Sequence, residues 1–431
     1  MTPRRPRHFL FLQGPHGPFF ARLSAALTIS GHQTSRIGFN SGDALFRSHF
    51  GGFTRYTGTA EGWEAWLSAK LEKAQVTDIV LYGTTRPVHA QALAIARAAG
   101  LTTHIFEEGY LRPWWVTYER RGANATSALM DISVADMEAA LSGQSDPPAA
   151  APARWGDTRQ HIFWGAVYHA AVLAGGLRAK PFPTHREPGV PAEAAIAIRH
   201  LLLSPFAALY RTRATANLSH SGAPYHLVLL QLSHDANHIA ASPYPSNEAY
   251  LTHVMTAFAK GAPGHHRLVF KAHPLEDGRQ PLARTIARIA RRLGIARRVH
   301  FLSGAKLAPL LDAASSAVTV NSTAAHQALW RGLPVKNLGP APHAKPEFTS
   351  RQSLEHFFAT PDRPDRDAYM TFRRYLLATC QIPGGFYATR ARRRLLRRAT
   401  DLVLAPLDPF DALNSADATA QHLRLVDKSG H

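Results

Sequence analysis

The sequence predicts an α/β protein built from two doubly wound parallel sheets. Short apolar runs rich in β-branched and aromatic residues alternate with longer segments whose apolar residues recur at helical spacing. Several of the short runs stop at polar or glycine-containing clusters, as strands do at the carboxyl edge of a parallel sheet. The chain has 431 residues, which is enough for two domains with full apolar cores.

The first half opens with a strand at 8–13 and a helix at 19–30, which is the start of a Rossmann-like unit. The loop between them carries Gly14 and Gly17 but is not the G-x-G-x-x-G of dinucleotide sites. It either lets a ligand head group approach the backbone or forms a tight turn. Further strands and helices are predicted at 35–39, 63–74, 78–82, 87–99 and 102–106.

Two carboxylates follow the strand predicted at 102–106. Glu107 and Glu108 precede Gly109, which permits a sharp turn. Like charges that are close together raise one pKa toward neutrality, and such a pair is suited to general acid/base chemistry. The alternative is a solvated turn in which Arg112 balances the charge.

The middle of the chain is predicted to join two domains. Residues 142–153 are rich in Pro, Ala, Ser and Gly, as in a surface linker. Residues 155–213 have helical periodicity, and their aromatic stripe fits a core or helix contact better than membrane insertion. The stretch 221–224 predicts the crossing into the second domain.

The second domain is predicted to bring polar residues to several strand ends. Asp235 follows a buried strand at 226–232. His273 ends another apolar run, and Pro274 holds its backbone extended. The remaining elements are helices at 247–260, 281–293 and 306–313, and strands at 299–302 and 335–338.

A third strand end in this domain carries Asn321, Ser322 and Thr323, in front of a helix predicted at 324–330. Hydroxyls and backbone N–H groups at such a position are suited to hold one phosphate. Together with His273, this run predicts a pocket for a nucleoside monophosphate.

Composition limits the classes of protein and site. Cys380 is the only cysteine, which excludes an intrachain disulfide and a cysteine metal cluster and fits a reducing cytosol. The 24 histidines are not spaced as metal ligands. The apolar run after the basic start is too short for a signal peptide, and the apolar region 162–177 is too short to span a bilayer.

The formal net charge of +19 indicates an anionic partner, whether nucleic acid, anionic lipid or an acidic substrate, although a generally arginine-rich proteome accounts for part of it. The tail concentrates this charge on one helical stretch, which either holds an anionic membrane surface or forms a solvated face. Its arginines are Arg390, Arg392, Arg393, Arg394, Arg397 and Arg398.

Taken in order, these motifs resemble the capsule polysaccharide biosynthesis proteins of the KpsS/LipB type, which are retaining β-Kdo transferases. The resemblance runs nearly end to end, and it departs from the family pattern at Ala236-Asn237 and at Pro383. The matching runs are Phe11-Leu12-Gln13-Gly14-Pro15, Asn40-Ser41-Gly42-Asp43, Glu107 to Pro113, Gln231 to Asp235, Lys271 to Pro274, Asn321-Ser322-Thr323 and Gln381 to Tyr387.

The resemblance implies a GT-B-like fold, with two Rossmann-like domains facing across a cleft and additional C-terminal helices. The expected division is an acceptor domain at 1–220 with a helical extension at about 155–215, a donor domain at 221–345, and helices at 346–431 that cross back over the interface.

The resemblance also implies CMP-Kdo as donor and a (lyso)phosphatidylglycerol-type lipid as acceptor, with no metal or other cofactor. The expected location is peripheral, on the cytoplasmic face of the inner membrane. Other capsule synthesis or export proteins are expected partners, and nucleic acid is not.

Residue roles follow from the same resemblance. Net retention implies two displacements, with Asp235 as nucleophile and Glu107 as acid/base, Glu108 being second. Asp235 as a helix cap or salt-bridge residue is the alternative. The donor-binding residues are expected to be His273, Pro274, Lys271, Asn321, Ser322, Thr323 and Arg112. The acceptor-binding residues are expected to be Gln13, Gly14, Gly17, Asn40 and Asp43.

Three other functions remain open from the sequence. The chain could be a non-catalytic capsule assembly or export factor that keeps the fold. The E-x-G and H-P motifs are also similar to those of bacterial sialyltransferases, so CMP-sialic acid is an alternative donor. Charge alone suggests a nucleic-acid binder, but no recognised nucleic-acid-binding motif supports it.

Overall fold

The computed structural model describes residues 6–143, 158–176, 222–232, 236–274, 276 and 280–413. The described chain divides into two compact units. Unit 1 holds residues 6–128, 138–143, 158–176 and 374–413. Unit 2 holds residues 129–137, 222–232, 236–274, 276 and 280–373.

The elements alternate between strand and helix over most of the chain. The strands are β1 (His8–Phe11), β2 (Gln33–Gly38), β3 (Gly52–Arg55), β4 (Asp78–Tyr82), β5 (Thr102–Glu108), β6 (Trp115–Glu119), β7 (Tyr225–Leu229), β8 (Arg267–Lys271), β9 (Val299–Leu302), β10 (Ser316–Thr319), β11 (Val335–Asn337) and β12 (Gln381–Pro383). The helices are α1 (Phe19–Ile29), α2 (Ser41–Leu45), α3 (Trp63–Lys73), α4 (Pro87–Ala98), α5 (Val134–Leu141), α6 (Thr158–Gly176), α7 (Ala236–Ala241), α8 (Asn247–Gly261), α9 (Leu282–Arg292), α10 (Leu307–Asp312), α11 (Ala325–Trp330), α12 (Leu354–Ala359), α13 (Arg366–Ala378), α14 (Thr389–Leu404) and α15 (Pro409–Leu413).

Unit 1 is built on a seven-stranded sheet in the order β12-β6-β5-β4-β1-β2-β3. The five strands from β1 to β5 are parallel, whereas β6 is antiparallel to both β5 and β12. Both faces are apolar, since Phe9 and Phe11 belong to one core and Leu10 and Leu12 to the other. A strand that is covered on both faces reads as a continuous apolar run, and this explains the clear sequence signal of β1.

Unit 2 is built on a five-stranded parallel sheet in the order β11-β10-β7-β8-β9. One face is covered by α8, α9 and α12, which supply Val254, Phe258, Ile286 and other side chains to the core. The end of α8 approaches α12 very closely, because a Cβ at Gly261 would lie 2.0 Å from the carbonyl oxygen of Glu355. Glycine is therefore required at this helix contact.

The predicted α/β class with two parallel sheets is confirmed. The sequence analysis missed the short strands β3, β6 and β12, and it ended β5 at 106 although the strand continues to Glu108. The helix predicted at 155–213 is present as α6 over 158–176, and the rest of that prediction lies outside the described residues, as does most of the linker at 142–153. In the part of the chain that the structure describes, no helix has the length and apolar character needed to cross a bilayer.

Candidate functional site

Each sheet has a point where the chain turns from one side of its first strand to the other. In unit 1, β1 lies between β4 and β2, and in unit 2, β7 lies between β8 and β10. Ligands of open α/β sheets bind at the carboxyl ends of the strands at such a switch point. The residues that follow these six strands are therefore the candidates for each unit's site.

At the switch point of unit 1, the side chains of Gln13, Asp43 and Tyr168 form a hydrogen-bond network. Gln13 Nε2 donates to the Tyr168 hydroxyl at 3.0 Å and approaches both Asp43 carboxylate oxygens at 3.2–3.3 Å. Tyr168, on α6, donates to Asp43 Oδ1 at 3.2 Å and accepts from Asn40 Nδ2 at 2.8 Å. Three of the predicted acceptor residues are thus brought together by an aromatic residue that the sequence analysis assigned to a core or a helix contact.

Asn40 and Asp43 use their polar atoms on one another and on the backbone. Asn40 caps α2, since its Oδ1 accepts from the backbone N–H of Asp43 at 3.0 Å. Asp43 also accepts from the backbone N–H of Phe39 at 2.9 Å and is buried. Their surroundings indicate that these two residues fix the shape of the loop after β2, whereas Gln13 is only half-buried.

The two loop glycines have steric reasons for their identity. A Cβ at Gly14 would lie 2.6 Å from the ring of Phe20, and Gly17 has a φ of +105° beside Trp164. Both positions favour the tight-turn alternative that the sequence left open, because side chains rather than open space surround them.

Arg86 is a residue at this edge that the sequence analysis did not single out. It follows β4 and is the N-cap residue of α4, whose first residue is Pro87. Its Nη1 donates to Gln13 Oε1 at 2.8 Å, and its guanidinium lies 5.5 Å from the centroid of the Tyr82 ring. The signal that identified His273, a polar residue before proline after a buried strand, also exists here and could have found Arg86.

Glu107 and Glu108 lie within β5, so their side chains point to opposite faces of the sheet. Glu107 is buried, and a Cβ on Gly83 would lie only 3.0 Å from its Oε2, which explains the glycine at the end of β4. Glu108 Oε1 accepts from the hydroxyls of Tyr82 at 3.1 Å and Tyr387 at 3.4 Å. The two carboxylates therefore have different surroundings.

The phenols beside Glu108 remain protonated over the physiological range. Burial and the nearby Glu108 carboxylate raise the pKa of both Tyr82 and Tyr387 well above the usual value. Both hydroxyls can therefore donate to Glu108. Arg112, the predicted charge partner, is exposed and donates from Nε to the Gly109 carbonyl at 3.3 Å.

In unit 2, two predicted donor-binding runs follow the strands that flank β7. The run His273-Pro274 begins two residues after the end of β8, and the run Asn321-Ser322-Thr323 begins two residues after the end of β10. The strand residue Lys271 is in register with Leu229, which is in turn in register with Thr319. The topology therefore brings the two runs to either side of the β7 end.

Lys271 is a buried cation at this edge. Its Nζ donates to the carbonyl of Ala272 at 3.0 Å, and burial lowers the pKa of its ammonium group. A buried ammonium group is stabilised by an anion that enters the site, because the anion supplies the missing countercharge.

Side chains from the end of β10 and from the segment after β7 order the turn at 321–323. The backbone N–H of Asn321 donates to Gln231 Oε1, and that of Ser322 donates to Thr319 Oγ1, both at 3.3 Å. Thr319 Oγ1 itself donates to the carbonyl of Leu229 at 3.1 Å. Asn321 Oδ1 is buried and has no hydrogen-bond partner among the described residues.

Asp235, the predicted nucleophile, lies outside the described residues, which resume at α7 after 232. Among the residues that the structure does describe, no group of three or more His, Cys, Asp or Glu side chains is placed to hold a metal ion.

Comparison with known proteins agrees with the order of these motifs. Residues 77–387, well over half of the chain, match the family model described as "Capsule polysaccharide biosynthesis protein". The chain belongs to this family. The capsule polysaccharide biosynthesis family match includes β4, Arg86, both glutamates and the two runs that flank β7.

Two capsule polysaccharide proteins are similar to the chain over most of its length. It is 28% identical over 390 residues to the capsule polysaccharide export protein KpsS of Escherichia coli, with 88% of this chain and 97% of the relative covered. It is 29% identical over 391 residues to the capsule polysaccharide modification protein LipB of Neisseria meningitidis serogroup A, with 88% of this chain and 92% of the relative covered.

Among solved structures, the chain is similar to KpsC of Thermosulfurimonas dismutans, a beta Kdo 2,7 transferase. The two are 13% identical with a TM-score of 0.39, over 82% of this chain and 89% of that one.

Proposed function

We propose that this protein is a glycosyltransferase of capsule polysaccharide biosynthesis that transfers Kdo from CMP-Kdo to a (lyso)phosphatidylglycerol-type lipid with retention of configuration. One observation carries the proposal: the His273-Pro274 and Asn321-Ser322-Thr323 runs follow the two strands that flank the first strand of the unit 2 sheet. Ligands bind at such a position in open α/β sheets.

The donor site requires charge stabilisation, since CMP leaves as a phosphate monoester. His273, Ser322 and Thr323 are assigned to the phosphate, as an imidazole and two hydroxyls can donate to its oxygens. Lys271 is assigned to the sugar carboxylate, and its burial strengthens an interaction with an anion. The assignment uses side chains only and needs no metal ion or other cofactor.

Retention is assigned to two displacements. In the first, the Asp235 carboxylate attacks the anomeric carbon and the bond to the CMP phosphate breaks. In the second, the acceptor hydroxyl attacks the same carbon, its proton passes to the Glu107 carboxylate, and Asp235 is released. Glu108 is the second candidate for the proton, but its two tyrosine hydrogen bonds favour a positioning role.

The acceptor is assigned to the switch point of unit 1. Gln13 and Arg86 are half-buried polar residues there, and Asn40 and Asp43 order the neighbouring loop after β2, from which Asp43 contacts the Gln13 amide. An anionic lipid head group fits the cationic character of Arg86.

A membrane surface is assigned to neighbouring parts of α6 and α14. Ile162 and Phe163 on α6 are 63% and 57% exposed. The same helix contacts the segment just before α14, because the rings of His161 and Tyr387 stack at 4.2 Å. The exposed arginines of α14 are Arg390, Arg393, Arg394 and Arg397. Exposed apolar side chains beside a basic helix are suited to an anionic lipid surface, and the cytoplasmic face of the inner membrane is the proposed location.

A non-catalytic role in capsule export is the second candidate, because the Escherichia coli relative is named as an export protein. Release of CMP from CMP-Kdo by the purified protein separates the two, since an export factor leaves the donor intact. CMP-sialic acid tested in parallel distinguishes the two donor classes.

The donor assignment is tested with His273→Ala. We expect its affinity for CMP to fall at least about tenfold, because a donor to the phosphate is lost, while its affinity for cytidine stays unchanged. Isothermal titration calorimetry measures both. The control is His265→Ala, since His265 lies before β8, at the opposite end of the strand. Equal CMP affinity in wild type and His273→Ala would remove His273 from the site.

A further inference from the structure

The loop Gly83–Arg86 brings a cation to the switch point of unit 1. β4 ends at Tyr82, and Arg86 stands immediately before the first residue of α4. Its side chain is half-buried: it extends over the Tyr82 ring and reaches Gln13 of the neighbouring strand end. The guanidinium is thus held in a defined position by a ring and an amide.

The charge of Arg86 has no carboxylate partner among the described residues. The side-chain group that accepts its hydrogen bond is the neutral amide of Gln13. By contrast, Arg7 pairs with Asp78, and Arg331 pairs with Asp312 at 2.6 Å. A half-buried guanidinium with free donors is a strong site for an oxyanion, because its planar fork binds two oxygens at once.

The surrounding backbone also favours a negatively charged ligand at this position. α4 has 12 residues and no side-chain cap at its N-terminus, so its dipole adds a positive potential beside Arg86. Thr84, in the same loop, is 6% exposed, and its hydroxyl has no hydrogen-bond partner in the described part of the chain. The loop therefore contains a cation, a helix start and a buried hydroxyl whose hydrogen-bonding capacity is unused.

Tyr82 connects this cation to a candidate catalytic carboxylate. Its ring lies under Arg86, and its hydroxyl donates to Glu108 Oε1 at 3.1 Å. An anion on Arg86 is therefore about one tyrosine side chain away from Glu108. This spacing is suited to a molecule that carries an anionic group and, a few bonds away, the hydroxyl that receives the sugar.

We propose that Arg86 binds the anionic group of the acceptor, either a lipid phosphate or a sugar carboxylate, and thereby positions the acceptor hydroxyl. The inference rests on the proposed transferase function for the identity of the acceptor. Arg86 is a binding and positioning residue in this account, and Thr84 supplies a further hydrogen bond to the same oxyanion.

The test is direct binding of three small ligands to the full chain by isothermal titration calorimetry. Octanoyl lysophosphatidylglycerol carries a phosphate, the methyl glycoside of Kdo carries a carboxylate, and monooctanoylglycerol carries neither. We expect Arg86→Gln to weaken binding of one or both anions at least about tenfold and to leave the neutral lipid and CMP unchanged. Arg86→Lys is expected to recover part of the loss.

The matched control is Arg97→Gln, which removes one arginine from the last turn of the same helix. The ligand whose affinity falls in Arg86→Gln identifies the anion as phosphate or carboxylate. Unchanged affinity for both anions in Arg86→Gln, or an equal loss for the neutral lipid, overturns the inference. Failure of the transferase proposal is a separate result, seen as intact CMP-Kdo with the wild-type protein, because the binding measurement needs no turnover.

Discussion

At the residue scale, the carboxylates of unit 1 differ in their surroundings more than their positions in the sequence suggest. Glu107 lies beside Gly83, Glu108 is held by two tyrosines, and Glu119 on β6 is completely buried. Glu119 accepts hydrogen bonds from the hydroxyls of Tyr110 at 2.7 Å and Ser127 at 2.5 Å. Glu107 and Glu108 are at the sheet edge, whereas Glu119 belongs to the core, so we assign proton transfer to Glu107, a positioning role to Glu108 and a structural role to Glu119.

Glu119 predicts a pH dependence of stability. Burial raises its pKa to about 8 from 4.5, although the Ser127 and Tyr110 hydrogen bonds act in the opposite direction. The folded state therefore holds this proton more tightly than the unfolded chain does. The stabilisation is complete below the unfolded pKa and is lost as pH rises through the folded pKa.

Gln does not titrate. We therefore expect the free energy of unfolding of Glu119→Gln, relative to that of wild type, to increase by about 1–3 kcal/mol as the pH rises from about 6 to about 9. Urea unfolding at the two pH values measures this difference. Glu138→Gln is the control, because Glu138 is exposed. A difference between Glu119→Gln and wild type that is the same at both pH values would contradict the assignment.

The sequence could predict some of these residues and not others. His273 and Asn321 stand two residues beyond strands with clear apolar patterns, so their position at a sheet edge followed from periodicity. Arg86 carries the same signal as His273, a polar residue before proline after a buried strand, but its contact with Gln13, 73 residues away, is not visible in the sequence. A single sequence carries no signal for such a pair, and the same is true of Glu119 and Ser127.

At the element scale, the helices and parallel strands that pack on both faces were predictable. β4 at Asp78–Tyr82 and β9 at Val299–Leu302 have the predicted limits, because each is a short apolar run with definite ends. The antiparallel strands β6 and β12 were missed. β12 has three residues including Pro383, and its partner Thr117 is 264 residues from Gln381, so neither length nor periodicity identifies it.

The membrane surface is tested at this scale. Replacing Arg390, Arg393, Arg394 and Arg397 by Gln is expected to weaken binding to anionic vesicles at least tenfold, since each arginine near such a surface contributes about 1 kcal/mol. Cosedimentation with phosphatidylglycerol vesicles measures the change.

The chain offers a matched control for that experiment. α9 also carries four exposed arginines, Arg284, Arg288, Arg291 and Arg292, and Arg288 pairs with Glu248 at 2.7 Å. Their replacement by Gln removes the same charge. Equal losses in the two quadruple variants would mean that net charge, and not the surface of α6 and α14, governs binding.

At the scale of the whole molecule, unit 1 is assembled from distant parts of the chain. β12 and α14 follow all of unit 2 in sequence, yet β12 pairs with β6 and completes the first sheet. Unit 1 is therefore complete only after the segment 374–413 has folded onto it. Such long-range pairing slows folding, because the closure entropy of a long loop precedes the gain from its contacts.

The central claim is transfer of Kdo with retention, and product analysis tests it most directly. Purified wild-type protein is incubated with CMP-Kdo and octanoyl lysophosphatidylglycerol, and the product is identified by mass and by the anomeric configuration from NMR. We expect one or more added Kdo units in the β configuration, and a loss of turnover of about 10²-fold or more in Asp235→Asn and in Glu107→Gln. Intact donor with wild-type protein, an α-linked product, or wild-type turnover in Asp235→Asn would contradict the account.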